Sequence, residues 1–215
     1  MHRNESGVAI QFDDIEQQRE ASTLGMWVFL ATEVLFFGGM MTAHLVYRHA
    51  YPDVFAEASH YMNILLGGIN TGVLLGSSLT MALAVRSAQE GKKNLTVLFL
   101  VVTMILGCVF LGIKAIEYYQ KYQEHVVPGI DFQYEGANAG GAQIYFILYF
   151  LLTGFHAVHL TIGIVVVGVI AFLASRNRYS AGYHSPVEVI GLYWHFVDIV
   201  WIFLYPLIYL IHAYK

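Results

Sequence analysis

The chain has 215 residues, of which 57% are hydrophobic and 12% are charged. Its mean hydropathy of +0.58 is far from that of a soluble domain, so we expect an integral membrane protein. The formal net charge of -4 is small and no basic stretch is present, which excludes nucleic acid as a partner. The single cysteine, Cys108, lies in an apolar run, so we expect a buried side chain, with no disulfide framework and no cysteine-based metal site.

Five apolar segments follow one another along the chain, and each exceeds the roughly 20 residues that a helix needs to cross the hydrocarbon. We predict an all-α, polytopic membrane protein with five transmembrane helices. Residues 1–21 are predicted to form an N-terminal cytoplasmic tail, and residues 22–215 the five-helix transmembrane domain. The predicted spans are 22–47, 62–85, 95–119, 143–173 and 187–212.

Lysine and arginine near the ends of the spans predict the orientation, because these residues are enriched on the cytoplasmic side. With the N-terminus inside and the C-terminus outside, seven of them lie inside and three outside. The inner seven are Arg3, Arg19, Arg86, Lys92, Lys93, Arg176 and Arg178, and the outer three are Arg48, Lys121 and Lys215. We therefore expect an N-inside, multi-pass protein of the bacterial cytoplasmic (inner) membrane.

The first predicted span carries a carboxyl group, Glu33, about 16 Å from its start and so close to the bilayer midplane. Such a group costs a few kcal/mol to insert and usually faces the bundle interior or a wet cavity. Its neighbours on the same helix face are Phe29, Phe36, Phe37 and Met40, which supply no cation. We expect a protonated acid that either donates one structural hydrogen bond or takes part in proton handling.

The second and third spans carry patterns that favour structural roles. Gly68, Gly72 and Gly76 recur every four residues, which predicts a stripe where another helix can pack closely. Near the end of the third span, Lys114 and Glu117 are one turn apart, which predicts a local pair with a snorkelling lysine.

The fourth and fifth spans each carry two ionisable residues on one face, at a depth similar to that of Glu33. These are His156 and His159 in the fourth span, and His195 and Asp198 in the fifth. We expect one intrabundle polar network in which Asp198 pairs with His159, or failing that with His156. The same histidines allow a metal or bis-histidine haem site as alternatives, but their spacing forces no third strong ligand. We assign no metal ligand and no catalytic residue to this chain.

Several stretches of the chain resemble one family. The motifs FLATEVLFF, TGFHAVHLTIG and YWHFVDIVWIFLYPLIYL, together with the run from Glu90 to Gln120, are similar to subunit III of the haem-copper oxidases, which are cytochrome c and quinol oxidases. The resemblance extends from about Ser22 to the C-terminus. It is closest to the short form, which lacks the first two helices of the seven-helix members.

The resemblance implies an accessory subunit of a proton-pumping terminal oxidase in aerobic respiration. Such a subunit has no redox centre of its own, since haem and copper belong to partner subunits. It implies direct packing on subunit I, with subunit II in the same complex, bound phospholipid, and support for proton uptake and for durability during turnover. Glu33 matches the family's buried glutamate associated with carbodiimide labelling, and His156, His159, His195 and Asp198 match positions inside the bundle.

Other functions stay open at this point. They are an accessory subunit of a nitric oxide reductase-type complex, an autonomous haem or metal membrane oxidoreductase, and a small transporter with Glu33 as its proton site. The electron donor, cytochrome c or quinol, is also open, because donor sites in such complexes lie on other subunits.

Overall fold

A computed structural model describes residues 12–129, 132–134, 136, 138–176 and 184–210. Five helices in these ranges are long and apolar enough to cross a membrane, as predicted, and a sixth is short. Part of the predicted N-terminal tail, residues 1–11, and the C-terminal residues 211–215 lie outside the described ranges. The helices are α1 Ile15–Ala50, α2 Pro52–Ser59, α3 Ile64–Gln89, α4 Lys93–Gln123, α5 Ala139–Ser175 and α6 Ser185–Tyr209.

Capping side chains mark the start of three helices, of which α1 and α5 begin before their apolar segments. The carboxylate of Asp14 accepts a hydrogen bond from the Gln17 N–H at 2.7 Å, so α1 begins at Ile15 and residues 15–21, assigned to the tail, are helical. Asn63 and Asn138 cap α3 and α5 in the same way. Because such caps satisfy the free N–H groups of the first turn, they set the helix start independently of hydropathy.

The short helix α2 lies in the link between the first two predicted spans, where no helix was predicted. It begins with Pro52 in its first turn, where the missing N–H is not needed. Its apolar side is buried against α5 and the end of α1, and the Phe55 ring lies 5.3 Å from those of Tyr145 and His44. This helix thus covers the parts of α1 and α5 on which it packs.

Of the long helices, α1, α3 and α5 contact α6, while α4 lies between α3 and α5. Helix α6 is the most buried of them: 61% of its most apolar stretch lies inside the bundle, compared with 11% of that of α1. The fully buried side chains of largest volume include Trp194 and Trp201 of α6 and Tyr145 of α5. The outer surface of α1 is therefore left to lipid or to another protein.

Close helix packing occurs beside the predicted glycine stripe. A Cβ added to Gly67 would lie 2.9 Å from the Tyr205 ring and 3.0 Å from the Tyr209 ring, whereas one added to Gly72 would have open space. Within this chain, then, α6 packs closely on α3 at Gly67, and again at its own Gly191, where an added Cβ would lie 2.8 Å from Val85. Cys108 is exposed on α4, so the prediction of a buried thiol was wrong.

Candidate functional site

Glu33 of α1 and His159 of α5 meet between the helices. The Glu33 Oε2 lies 3.0 Å from Nε2 of His159, and the two side chains are 18% and 15% exposed. The imidazole packs against the Phe37 ring, with centroids 5.1 Å apart, so apolar groups from α1 enclose the pair. Helix α1 supplies Glu33 with no cation, as its sequence indicates, and the partner comes from α5.

The second nitrogen of His159 fixes how protons can be arranged in this pair. Nδ1 lies 2.8 Å from the Phe155 carbonyl oxygen, which can only accept, so Nδ1 carries a hydrogen. Nε2 then either accepts the hydroxyl hydrogen of neutral Glu33 or, in the imidazolium, donates to the carboxylate. The pair can therefore shift one proton between its members without changing its total charge.

Asp198 does not form the pair expected of it. Both nitrogens of His159 are already bonded, and among the described residues neither carboxylate oxygen of Asp198 has a hydrogen-bond partner. The physical reason is the direction of α6, whose polar side chains face α3. In that seam Trp194 Nε1 donates to Ser77 Oγ at 3.1 Å, and His195 Nδ1 lies 2.7 Å from Ser78 Oγ.

His156 is separated from the other polar groups by aromatic rings. It is 1% exposed and lies with its centroid 5.5 Å from Phe110 and 5.1 Å from Trp201. Neither of its nitrogens has a hydrogen-bond partner in the described part of the chain. The single polar network predicted from sequence is thus divided into a Glu33–His159 pair, a seam along α6 and an isolated His156.

The histidines are not arranged as ligands of one ion. In the described ranges, no group of three or more His, Cys, Asp or Glu side chains is close enough to hold a metal. His159 has no nitrogen left for a haem iron, and His156 is covered by Phe110 and Trp201. The geometry of these residues therefore does not favour the metal and haem alternatives.

Comparison with known proteins places this arrangement in a family. Residues 9–213 match the family model described as Cytochrome c oxidase subunit III. The chain belongs to the cytochrome c oxidase subunit III family. Three similar proteins, each named "Probable quinol oxidase subunit 3", come from Staphylococcus epidermidis, Staphylococcus haemolyticus and Staphylococcus aureus. They are 30%, 29% and 28% identical over 203, 202 and 200 residues, and each alignment covers 93% of both chains.

Membership in the subunit III family, with five apolar helices, makes this chain a multi-pass membrane subunit of an oxidase complex. The three motifs noted in the sequence lie on α1, α5 and α6. Glu33 and His159 bring two of them into direct contact, and the third, on α6, faces α3 through His195.

This subunit III also contains a buried cluster that the sequence analysis missed. The Lys114 Nζ lies 3.1 Å from Glu117 Oε2 and donates to the hydroxyls of Tyr149 and Tyr209, at 3.2 and 2.8 Å. Both tyrosines donate to Glu117 Oε1, at 2.8 and 2.5 Å. The local ion pair was predicted, but the snorkelling was wrong, since the Lys114 side chain is 4% exposed and the Glu117 side chain 1%.

Sequence spacing could indicate only the Lys114–Glu117 half of this cluster. Tyr149 and Tyr209 reach it from α5 and from the last turn of α6, at sequence separations that no helical period connects. His44, also missed, is fully buried against Phe55 and Tyr145, and a histidine inside the first apolar span was the available signal.

Proposed function

We propose that this chain is the accessory, non-redox subunit III of a proton-pumping haem-copper terminal oxidase of aerobic respiration. Membership in the subunit III family over residues 9–213 is the observation that carries the proposal. In this proposal haem and copper are held by partner subunits, and the chain lies in the bacterial cytoplasmic membrane with its N-terminus inside.

The outer face of α1 supports contact with phospholipid and with subunit I. This helix leaves large apolar side chains exposed along most of its length, among them Leu24, Trp27, Val28, Val34, Leu35 and Val46. A row of this kind is stable only against lipid tails or another apolar helix. We assign it to bound phospholipid and to packing in the complex, which also includes subunit II.

The glycine stripe of α3 is the second surface proposed for helix packing. Gly72 has open space where a Cβ would lie, and Gly76 has only the Leu106 side chain at 3.9 Å. Small residues that are not covered by their own chain allow a neighbouring helix to approach closely. In our proposal Gly72 and Gly76 contact a partner subunit, whereas Gly68 faces the Tyr205 hydroxyl of α6, which an added Cβ would approach to 3.3 Å.

The Glu33–His159 pair supports a part in proton uptake. Its members share one proton across a 3.0 Å hydrogen bond in an apolar enclosure. An ionisable residue inside a membrane span is by default a candidate for proton handling, because its insertion is costly. We propose that the pair supports proton uptake by the complex and its durability during turnover.

The test is extraction from the native membrane in mild detergent, followed by identification of the accompanying chains. We expect recovery with a haem-containing subunit. Quantitative recovery as a stable, free monomer would contradict the proposal. An absorption spectrum and metal analysis of the separated chain decide the competing function, since a Soret band or stoichiometric metal in it would indicate an autonomous oxidoreductase.

Activity assays on the same preparation separate the remaining alternatives. The names of the Staphylococcus relatives favour quinol as the electron donor of the complex. We therefore expect oxygen consumption with quinol and not with reduced cytochrome c. Nitric oxide consumption without oxygen reduction would instead support a nitric oxide reductase-type complex.

A further inference from the structure

A cleft of about 410 Å³ opens where α1 begins, α3 ends and α6 begins. Its mouth is polar, because the Glu188 carboxylate of α6 lies there and interacts with three polar side chains. Gln89 donates to its carboxylate at 2.6 Å, His184 Nε2 lies 3.3 Å away, and the Arg19 guanidinium 3.6 Å away. The cleft is thus connected to the aqueous end of the bundle through a carboxylate and an imidazole.

His195 forms part of the wall of this cleft. It is two turns beyond Glu188 on the same face of α6, which corresponds to about 10.5 Å along the helix axis. The cleft between them is large enough for several waters, each of which needs only a few tens of Å³. Water can therefore bring protons from Glu188 to the imidazole of His195.

Beyond His195 a hydrogen bond leads into the protein. Its Nδ1 lies 2.7 Å from Ser78 Oγ, which places Ser78 beside the face of α6 that also carries Asp198, one turn beyond His195. Asp198 is 2% exposed, and within the described residues both its oxygens lack a hydrogen-bond partner. The polar groups that lead inward from the cleft therefore end at this buried carboxyl.

Within the described part of the chain, none of the buried or half-buried ion pairs includes Asp198 or His195. On the neighbouring helices, Glu33 and His159 bond to each other, His156 is enclosed by aromatic rings, and Lys114 belongs to its own cluster. An ionised carboxylate left alone in an apolar interior is costly, so any change in its charge requires that a proton pass between it and water. Ser78 and His195 are the groups that form one.

We propose that Asp198 is an internal proton site that exchanges protons with the cleft through Ser78 and His195. In the loaded state the Asp198 side chain rotates so that its hydroxyl donates to Ser78 Oγ, and the Ser78 hydroxyl donates to Nδ1 of neutral His195. On release, the serine proton passes to Nδ1 while the Asp198 proton passes to Ser78. The imidazolium then gives its Nε2 proton to water in the cleft, so that one proton leaves and Asp198 is ionised.

The inference goes beyond the role proposed for the chain, since it concerns a site inside this chain and needs no turnover. Infrared difference spectroscopy of the resting complex, recorded across pH and after transfer into D₂O, detects it directly. We expect one protonated-carboxyl C=O band that is absent in Asp198→Asn and that disappears as the pH rises. Its failure would be distinct from failure of the oxidase assignment, which depends on the recovered partners and their activity.

The route is tested by the rate at which that band shifts in D₂O. Ser78→Ala removes the bridging hydroxyl, so we expect exchange to slow by about tenfold or more, which corresponds to a barrier higher by at least about 1.4 kcal/mol. His195→Gln provides a second variant, since the amide keeps a hydrogen-bond partner for Ser78 but cannot carry the proton. The matched control is Thr80→Val, which removes another hydroxyl of α3, bonded to Thr103 of α4, and should exchange like the wild type.

Two outcomes would overturn the proposal. One is a spectrum of Asp198→Asn that matches the wild type at every pH. The other is unchanged exchange of the Asp198 band in both Ser78→Ala and His195→Gln.

Discussion

Glu33 and His159 are 126 residues apart in sequence and 3.0 Å apart in space, and their hydrogen bond links α1 to α5. Because α1 is the least buried of the long helices, this bond and the Arg19–Glu188 ion pair are polar ties that matter for its attachment to the bundle. The strength of the tie and its proton can be tested separately.

The tie is tested by comparing two substitutions of Glu33. Glu33→Gln can still donate to Nε2 of His159, so we expect a thermal midpoint close to that of the wild type. Glu33→Leu leaves the imidazole nitrogen without a partner, which costs about 1 to 3 kcal/mol. Thermal unfolding of the detergent-purified complex measures both, with Glu20→Gln on the exposed start of α1 as control. A Glu33→Leu variant as stable as the wild type would show that the bond is dispensable.

The proton is tested with Glu33→Gln alone, because this variant keeps shape and donor but removes titration. If the pair supports proton uptake, we expect slower proton pumping or a shorter active lifetime during turnover. Oxygen consumption and proton release in reconstituted vesicles are the measurements. Unchanged turnover, pumping and lifetime would leave Glu33 with a structural role only. Labelling by a hydrophobic carbodiimide should be lost in the same variant.

Lys114→Met should be strongly destabilising. It leaves Glu117, whose side chain is 1% exposed, with two tyrosine hydroxyls and no cation. Removing one member of a buried pair typically costs about 3 to 5 kcal/mol. The measurement is the denaturation midpoint of the purified complex, and restoration of stability in Lys114→Met combined with Glu117→Leu would confirm that the stranded charge is the cause.

The matched control for this prediction is an ion pair on the surface. Hydrogen bonds from Lys92 and Arg86 hold the pKa of the Glu90 carboxyl below its ordinary value. A lowered pKa in the folded state gives stability that is present above the unfolded pKa and lost as the pH falls through the folded one. Since Glu90 is in water, we expect Arg86→Met to have little effect at neutral pH. An effect equal to that of Lys114→Met would argue against burial as the cause.

Asp198 should respond in the opposite way to Glu117. Its carboxyl has no hydrogen-bond partner among the described residues, so Asp198→Asn breaks no ion pair and removes a group that is costly to bury. We expect its thermal midpoint to equal or exceed that of the wild type, while Glu117→Gln lowers it. A fall of several kcal/mol in the unfolding free energy of Asp198→Asn would instead indicate that Asp198 forms the ion pair expected from the sequence.

Two glycines on α3 provide a test of packing. Gly67→Ala places a methyl group 2.9 Å from the Tyr205 ring, and overpacking of this kind costs about 1 to 3 kcal/mol. Gly72→Ala meets no atom of this chain, so the isolated subunit should tolerate it. If the glycine stripe contacts a partner, Gly72→Leu should reduce co-purification of that partner while the fold of the subunit is retained. Undiminished co-purification would remove the stripe from the interface.

The number of spans could be predicted from the sequence because each is a continuous apolar run. An apolar run of that length with few or no charges is typical of a transmembrane helix. The sequence also predicted that Glu33 lies at the depth of the histidines. Which histidine it meets depends on the rotation of α1 and α5 about their axes, and a helical period fixes only which residues share a face. The pairing of Asp198 failed for the same reason, since α6 turns that face toward Ser78.

Other features depend on contacts that short-range patterns do not encode. Helix α2 is only 8 residues long, and its burial follows from Phe55 packing on Tyr145. Lys114 would snorkel on an isolated helix, but two tyrosine hydroxyls from α5 and α6 make the interior the better environment. Such partners are known only once the helices are arranged.

The buried cluster has a consequence for biosynthesis. During synthesis α4 enters the membrane before α5 and α6, so Lys114 and Glu117 must first be stabilised by each other alone. Tyr149 arrives with α5, and Tyr209 arrives only with the last turn of α6. A nascent chain interrupted before Tyr209 therefore retains an incompletely solvated charge pair in the bilayer. Insertion of the final helix removes that defect, which gives the cell's membrane proteases a physical basis for separating finished subunits from unfinished ones.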